Sequence, residues 1–185
     1  MSSRLAIGAA AALALAAHLS RRFTGSASAD HQEAELARLL ALVEKYDGVD
    51  LFGREVLRFQ QELERGGFEF VGAGSSRVVV CLRPHLVAKI DYDADSSANR
   101  AEAGMWRDHK EAMADYLVPV VGTRLSDRVL LMERATPPVT SEDRREISAA
   151  CEQIPLWREL GNEAQWDFNW GRHGGRFKLL DYVVS

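Results

Sequence analysis

The sequence predicts an α+β domain in which short strands alternate with single helices, behind a preface of two helices. Three observations predict it. From Asp30 to Arg65 apolar residues recur at helical intervals, and after Gly66-Gly67 the apolar runs shorten to strand length. From there, turn residues divide the chain in the order βββ, helix, ββ, helix, ββ.

Bulk properties set the frame. The chain has 185 residues, 46% hydrophobic and 27% charged, which suits one globular domain with attachments. A net charge of −4 and the lack of a Lys/Arg-rich run give no electrostatic reason to bind nucleic acid. Lysine occurs only at Lys45, Lys89, Lys110 and Lys178, so a Lys inside an apolar strand draws attention. Cys81 and Cys151 sit in apolar stretches without metal-ligand spacing and read as small buried hydrophobes, and the histidines show no metal spacing either. Trp106, Trp157, Trp166 and Trp170 read as core or interface packing.

Residues 1–29 stand apart as a targeting or anchoring segment. They contain no Asp or Glu, carry Arg4, Arg21 and Arg22, and hold an Ala-rich apolar run over residues 5–19. Three readings fit parts of this. A membrane anchor fits the run, although spanning takes roughly 17–25 apolar residues. A secretory signal fits the charged start and the Ala27-Ser28-Ala29 triplet, with Arg21 and Arg22 awkwardly between. An organellar transit peptide fits the Arg, Ser and Ala enrichment.

The helical preface is expected over residues 30–67. Asp30 and Glu33 have capping-box spacing, and Leu36, Leu39, Leu40, Val43 and Tyr46 follow on one face until Asp47-Gly48. A second helix over Leu51 to Arg65 places Val56, Leu57, Phe59 and Leu63 inward and ends at Gly66-Gly67. Strands are then expected at Phe68 to Val71, Arg77 to Leu82 and Leu86 to Ile90, and a helix from Ala98 to Tyr116. Val118 to Thr123 and Arg128 to Glu133 form a hairpin around Ser126-Asp127, and a helix over Ser141 to Ile154 stops at Pro155. Asn169 to Arg172 and Arg176 to Leu180 flank the turn His173-Gly174-Gly175.

Three local features carry chemistry. Gly72-Ala73-Gly74 lies between strands, where glycines serve either a turn or a loop whose N–H groups approach phosphates; a following strand disfavours Walker-A and Rossmann readings. Lys89, in Val87-Ala88-Lys89-Ile90, must either snorkel to solvent or meet an anion. Glu102 on the next helix supplies a carboxylate that could hold this ammonium over nucleotide phosphates.

Taken together, Gly72-x-Gly74-x-x-Arg77-x-Val79, Val87-Ala88-Lys89, Glu102 and a hairpin closing on Met132-Glu133 resemble the N-terminal lobe of the protein-kinase-like superfamily. The resemblance implies an antiparallel N-lobe sheet with one helix plus a truncated C-lobe, a minimal domain spanning residues 68–185. It assigns Gly72 and Gly74 to the phosphate-covering loop, Lys89 to the phosphates, Glu102 to the Lys partner and Met132-Glu133 to the adenine-binding hinge. Asn169-Trp170-Gly171 and Leu180-Asp181-Tyr182 resemble its metal-binding pair, so Asn169 and Asp181 would hold Mg²⁺ against ATP. The Asp-Tyr version is closest to the RIO-like and aminoglycoside-phosphotransferase-like members.

Two departures shape the functional expectation. Five positions before Asn169, where the family places its catalytic Asp, stands Ala164; a shortened loop would make Asp167 the base beside Lys89. Only four residues follow Asp181, without an activation segment or peptide-presenting helices. The leading expectation is an ATP·Mg²⁺-binding domain that admits phosphotransferase activity, with a protein substrate or partner meeting another surface. Its rival is a pseudokinase that senses nucleotide or binds protein without chemistry, and a third reading is a membrane-tethered scaffold in which nucleotide binding has lapsed.

Overall fold

A computed structural model describes residues 26–82, 85–136, 140–153, 160 and 169–182. Within them the chain is α+β, with four α-helices and a five-stranded antiparallel sheet. Helix α1 (Ser26–Val43) runs into a 3₁₀ turn (Glu44–Tyr46) and is followed by α2 (Arg54–Arg65). Strands β1 (Glu69–Ala73), β2 (Arg77–Leu82) and β3 (Leu86–Asp91) precede α3 (Ser97–Met113). The hairpin β4 (Val120–Arg124) and β5 (Val129–Glu133) leads to α4 (Ser141–Cys151), and β6 (Trp170–His173) pairs with β7 (Arg176–Leu179) in a separate two-stranded sheet. The large sheet has the order β1-β2-β3-β5-β4.

Alternation along the central strands sorts side chains onto two covered faces. Val78, Val80, Leu82, Leu86, Ala88, Ile90, Val129 and Leu131 share one core with Leu36, Leu39 and Val43 of α1 and Phe59 and Leu63 of α2. The two N-terminal helices therefore pack on the sheet itself. Leu130 and Met132 face the opposite way, into a second core with Met113, Leu117, Trp170, Phe177 and Tyr182. Lys89, out of phase with Ala88 and Ile90, lies on this second face and is almost fully buried.

Some boundaries differ from expectation. The chain is already helical at Ser26, so Asp30 is inside the helix and does not cap it. A capping-box spacing followed by apolar periodicity fits a helix interior as well as a start. Leu57 is 59% exposed, because α2 buries only the narrow stripe of Phe59 and Leu63. The β4–β5 connection is tighter than a generic turn, with positive φ at Leu125, Ser126 and Asp127. Neither cysteine is in a disulfide: Cys81 is buried and Cys151 half-buried. Trp170 is fully buried and Trp106 partly so, whereas Trp157 and Trp166 lie outside the described residues.

Helix α3 is fixed to the sheet by polar groups. Ser96, its N-cap, makes no side-chain cap bond; Asp91 at the end of β3 instead accepts the Asn99 N–H at 3.2 Å. The buried Asn99 amide nitrogen donates to the carbonyls of Lys89 (3.2 Å), Asp127 (2.9 Å) and Arg128 (2.8 Å), tying α3 to β3 and to the β4–β5 turn. Replacing Asn99 with Ala strips these bonds, leaving the Arg128 carbonyl with only the Asp91 N–H among those described. Asn99→Ala is expected to lower unfolding free energy by about 2–4 kcal/mol, read by urea denaturation.

Candidate functional site

Three residues beyond Asn99 on the same side of α3 comes Glu102, whose side chain is fully buried. A lone carboxylate there would carry a large desolvation cost. Two cations offset it. The Lys89 Nζ donates to Glu102 Oε1 at 2.8 Å and Oε2 at 2.9 Å, and Arg77 Nη1 donates to Oε2 at 2.5 Å. The Tyr182 N–H adds a longer bond to Oε1 at 3.4 Å.

Each cation also reaches the C-terminal segment. Lys89 Nζ donates to the Leu180 carbonyl at 2.6 Å, and Arg77 Nη2 meets Asp181 Oδ1 at 2.6 Å. Burial alone would lower the Arg77 pKa, but the charges and hydrogen bonds of Glu102 and Asp181 more than offset it, so the guanidinium is held charged. Behind Asp181, the fully buried Tyr182 donates its hydroxyl to the Val118 carbonyl at 3.0 Å. Burial, and then the negative charge of Glu102, push its pKa well up, so the phenol stays neutral and a donor.

These groups lie at one end of a cleft of about 460 Å³. Val79, Val87, Met132 and Leu180 contribute apolar walls, while Lys89, Asn169 and Asp181 supply polar groups. Gly72 and Gly74 line the cleft where β1 is bulged between Phe70 and Gly72. Neither glycine has positive φ, and a Cβ built on either would meet nothing within 4 Å. Their backbones are conformations any residue could adopt, so what glycine contributes there is open space over the cleft.

At the far end, Met132 is paired with both Val87 and Val120 inside the sheet, so it offers its side chain as a wall. The Glu133 N–H donates to the Pro119 carbonyl at 3.0 Å and the Arg134 N–H to that of His85 at 2.7 Å. The Glu133 carboxylate meets His173 Nε2 at 2.7 Å, which ties the β6–β7 hairpin to this strand end. The Glu133 and Arg134 N–H groups are thus engaged within the fold, while Met132 and Glu133 both line the cleft. Gly171 backs the same corner, where an added Cβ would come within 2.8 Å of the Ala135 Cβ.

The structure thus brings Gly72, Gly74, Lys89, Met132, Glu133, Asn169 and Asp181 to one cleft, with Glu102 directly behind Lys89. Asp167 and Ala164 lie outside the described residues, as does the apolar run over residues 5–19. No helix among the described residues is long and apolar enough to cross a membrane. Sequence reasoning missed the role of Arg77, quoted only as part of the glycine motif. The available signal was its parity, since Arg77 lies two residues before Val79, opposite in phase to Val78 and Val80, and so shares the face of Lys89.

The donor set bears on the metal expectation. Asn169 and Asp181 present amide and carboxylate oxygens, which suit a hard cation. Yet Asp181 Oδ1 already holds the Arg77 guanidinium, and the Lys89 ammonium binds the adjoining Leu180 carbonyl. In this arrangement a metal at Asp181 would compete with Arg77 for the carboxylate. No protein-family model matches the chain, and no curated protein matches it.

Removing the central carboxylate should be severe. Glu102→Gln leaves Lys89 and Arg77 without their shared buried partner and is expected to cost about 3–5 kcal/mol of stability. Chemical denaturation of the full chain at neutral pH reads this; a cost under about 1 kcal/mol, the scale of an exposed pair, would place Glu102 outside the core of the site.

Proposed function

We propose that this protein is a minimal protein-kinase-like domain that binds ATP in the cleft beneath the β1–β2 loop. The observation that carries the reading is the Lys89–Glu102 pair, 2.8 Å and 2.9 Å to the two carboxylate oxygens, at the end of a cleft that also contains Asn169 and Asp181. An ammonium oriented by a buried carboxylate, with glycines over it and apolar walls beyond, suits a purine nucleotide whose phosphates point toward Lys89. The phosphates would replace the Leu180 carbonyl as the third acceptor of the ammonium. Since the Glu133 and Arg134 N–H groups are engaged within the fold, base recognition there would use carbonyl acceptors or the next residues along.

On this reading Asn169 and Asp181 are the residues that a Mg²⁺ would use if it displaced Arg77 from Asp181, and Asp167 is the candidate base for phosphotransfer. The pseudokinase alternative is favoured by one specific observation, the hold of Arg77 on Asp181.

Thermal unfolding of the full chain tests the reading. ATP at about 100 times its Kd should add about 2.7 kcal/mol of stability, and Lys89→Ala should weaken binding at least about tenfold, the scale of one lost charge-assisted bond. No stabilisation by ATP at millimolar concentration, with or without magnesium, would refute it. Phosphate release or transfer from labelled ATP then separates kinase from pseudokinase, and turnover abolished by Asp167→Asn would assign Asp167 as base.

A further inference from the structure

Arg77 stands where the strand after the glycine loop begins, and it is almost fully buried. One nitrogen reaches Glu102 at 2.5 Å and Asn99 Oδ1 at 3.4 Å, and the other reaches Asp181 at 2.6 Å. One guanidinium therefore joins β2, α3 and the C-terminal segment. Arg77 and Lys89 balance Glu102 and Asp181, so this cluster of two cations and two carboxylates is neutral without any metal.

We propose that Arg77 takes the place of the divalent cation at Asp181, so that the cleft accepts the nucleotide without magnesium and a metal must compete with Arg77 for that carboxylate. The proposal rests on the nucleotide-site reading above and narrows it. Three features support it. The guanidinium is fixed at both ends by charge-assisted bonds, which are shorter and stronger than neutral ones. Arginine cannot lose its proton to make room for a metal. The Asn99 carbonyl and the buried Glu102 hold the arginine on its far side, so releasing Asp181 would leave it with no comparable partner on that nitrogen.

The site is consequently fitted to an anionic nucleotide whose phosphates meet Lys89, with Arg77 as a positioning residue that keeps Asp181 and α3 in register. An incoming divalent ion would meet carboxylates already matched by cations, and its binding at Asp181 would compete with the Arg77–Asp181 bond.

The test is the affinity of the full chain for a non-hydrolysable ATP analogue, measured by calorimetry in EDTA and in excess magnesium. The wild-type chain should bind in EDTA, and magnesium should strengthen binding by no more than about threefold. In Arg77→Gln, which removes the Arg77–Asp181 ion pair and keeps a polar side chain, magnesium should strengthen it at least about tenfold, the scale of one charge-assisted hydrogen bond. Binding by the wild type that magnesium strengthens more than about threefold overturns the inference while leaving the nucleotide site standing; so does an Arg77→Gln response equal to that of the wild type. No binding in either condition, with Lys89→Ala indistinguishable from wild type, overturns the nucleotide site and this inference together. Should Arg77→Gln fail to fold, the wild-type comparison still decides.

Discussion

Glu102 is a carboxylate without solvent, and much of the molecule is arranged to make that tolerable. A buried charge is stable only with close opposite charge and satisfied lone pairs. Lys89 comes from β3, Arg77 from β2 and the Tyr182 N–H from the C-terminal segment, so three parts of the chain converge on one residue of α3. Each cation then extends the connection, Lys89 to the Leu180 carbonyl and Arg77 to Asp181. The sheet, helix α3 and the C-terminal segment are thus joined through this one carboxylate.

This convergence depends on register. Because side chains alternate along a strand, slipping β3 by one residue would exchange Lys89 with its apolar neighbours and place the charge in the core beneath α1 and α2. Pairing of Lys89 with Val79 on one side and Leu130 on the other holds that register, and the Asn99 amide sets the height of α3 against it. The polar site and the apolar core are in this sense one construction. Leu86, Ala88 and Ile90 occupy the face of β3 that leaves Val87 and Lys89 for the cleft.

What could be read from the sequence follows from this division. Periodicity and turn residues located the strands closely, with β2 at its expected limits and β3 one residue longer, because local signals suffice where a strand is apolar and bounded by turns. Lys89 and Glu102 could be picked out because a lysine in an apolar strand has few physical outcomes. Arg77 could not be assigned in the same way. A charged residue at the start of a strand is ordinarily a solvated end, and only pairing between β2 and β3, with a contact 104 residues away at Asp181, buries it. The N–H groups of Glu133 and Arg134 were hidden for a similar reason, since their partners at Pro119 and His85 are set by long-range arrangement that local pattern does not encode.

The same geometry indicates which part of the cluster yields when an anion enters. Both carboxylates are already matched by cations, so on the proposed nucleotide reading phosphates would have to exchange for an existing partner. Displacing Glu102 from Lys89 would strand a buried charge, and displacing Asp181 from Arg77 would separate two ions. Among the described residues the Leu180 carbonyl is the neutral acceptor on Lys89, and giving it up breaks no ion pair. Lys89 is therefore the responsive end of the cluster and Arg77 its fixed end. A ligand entering on these terms would keep Glu102 paired throughout, and with it the attachment of α3 to the sheet.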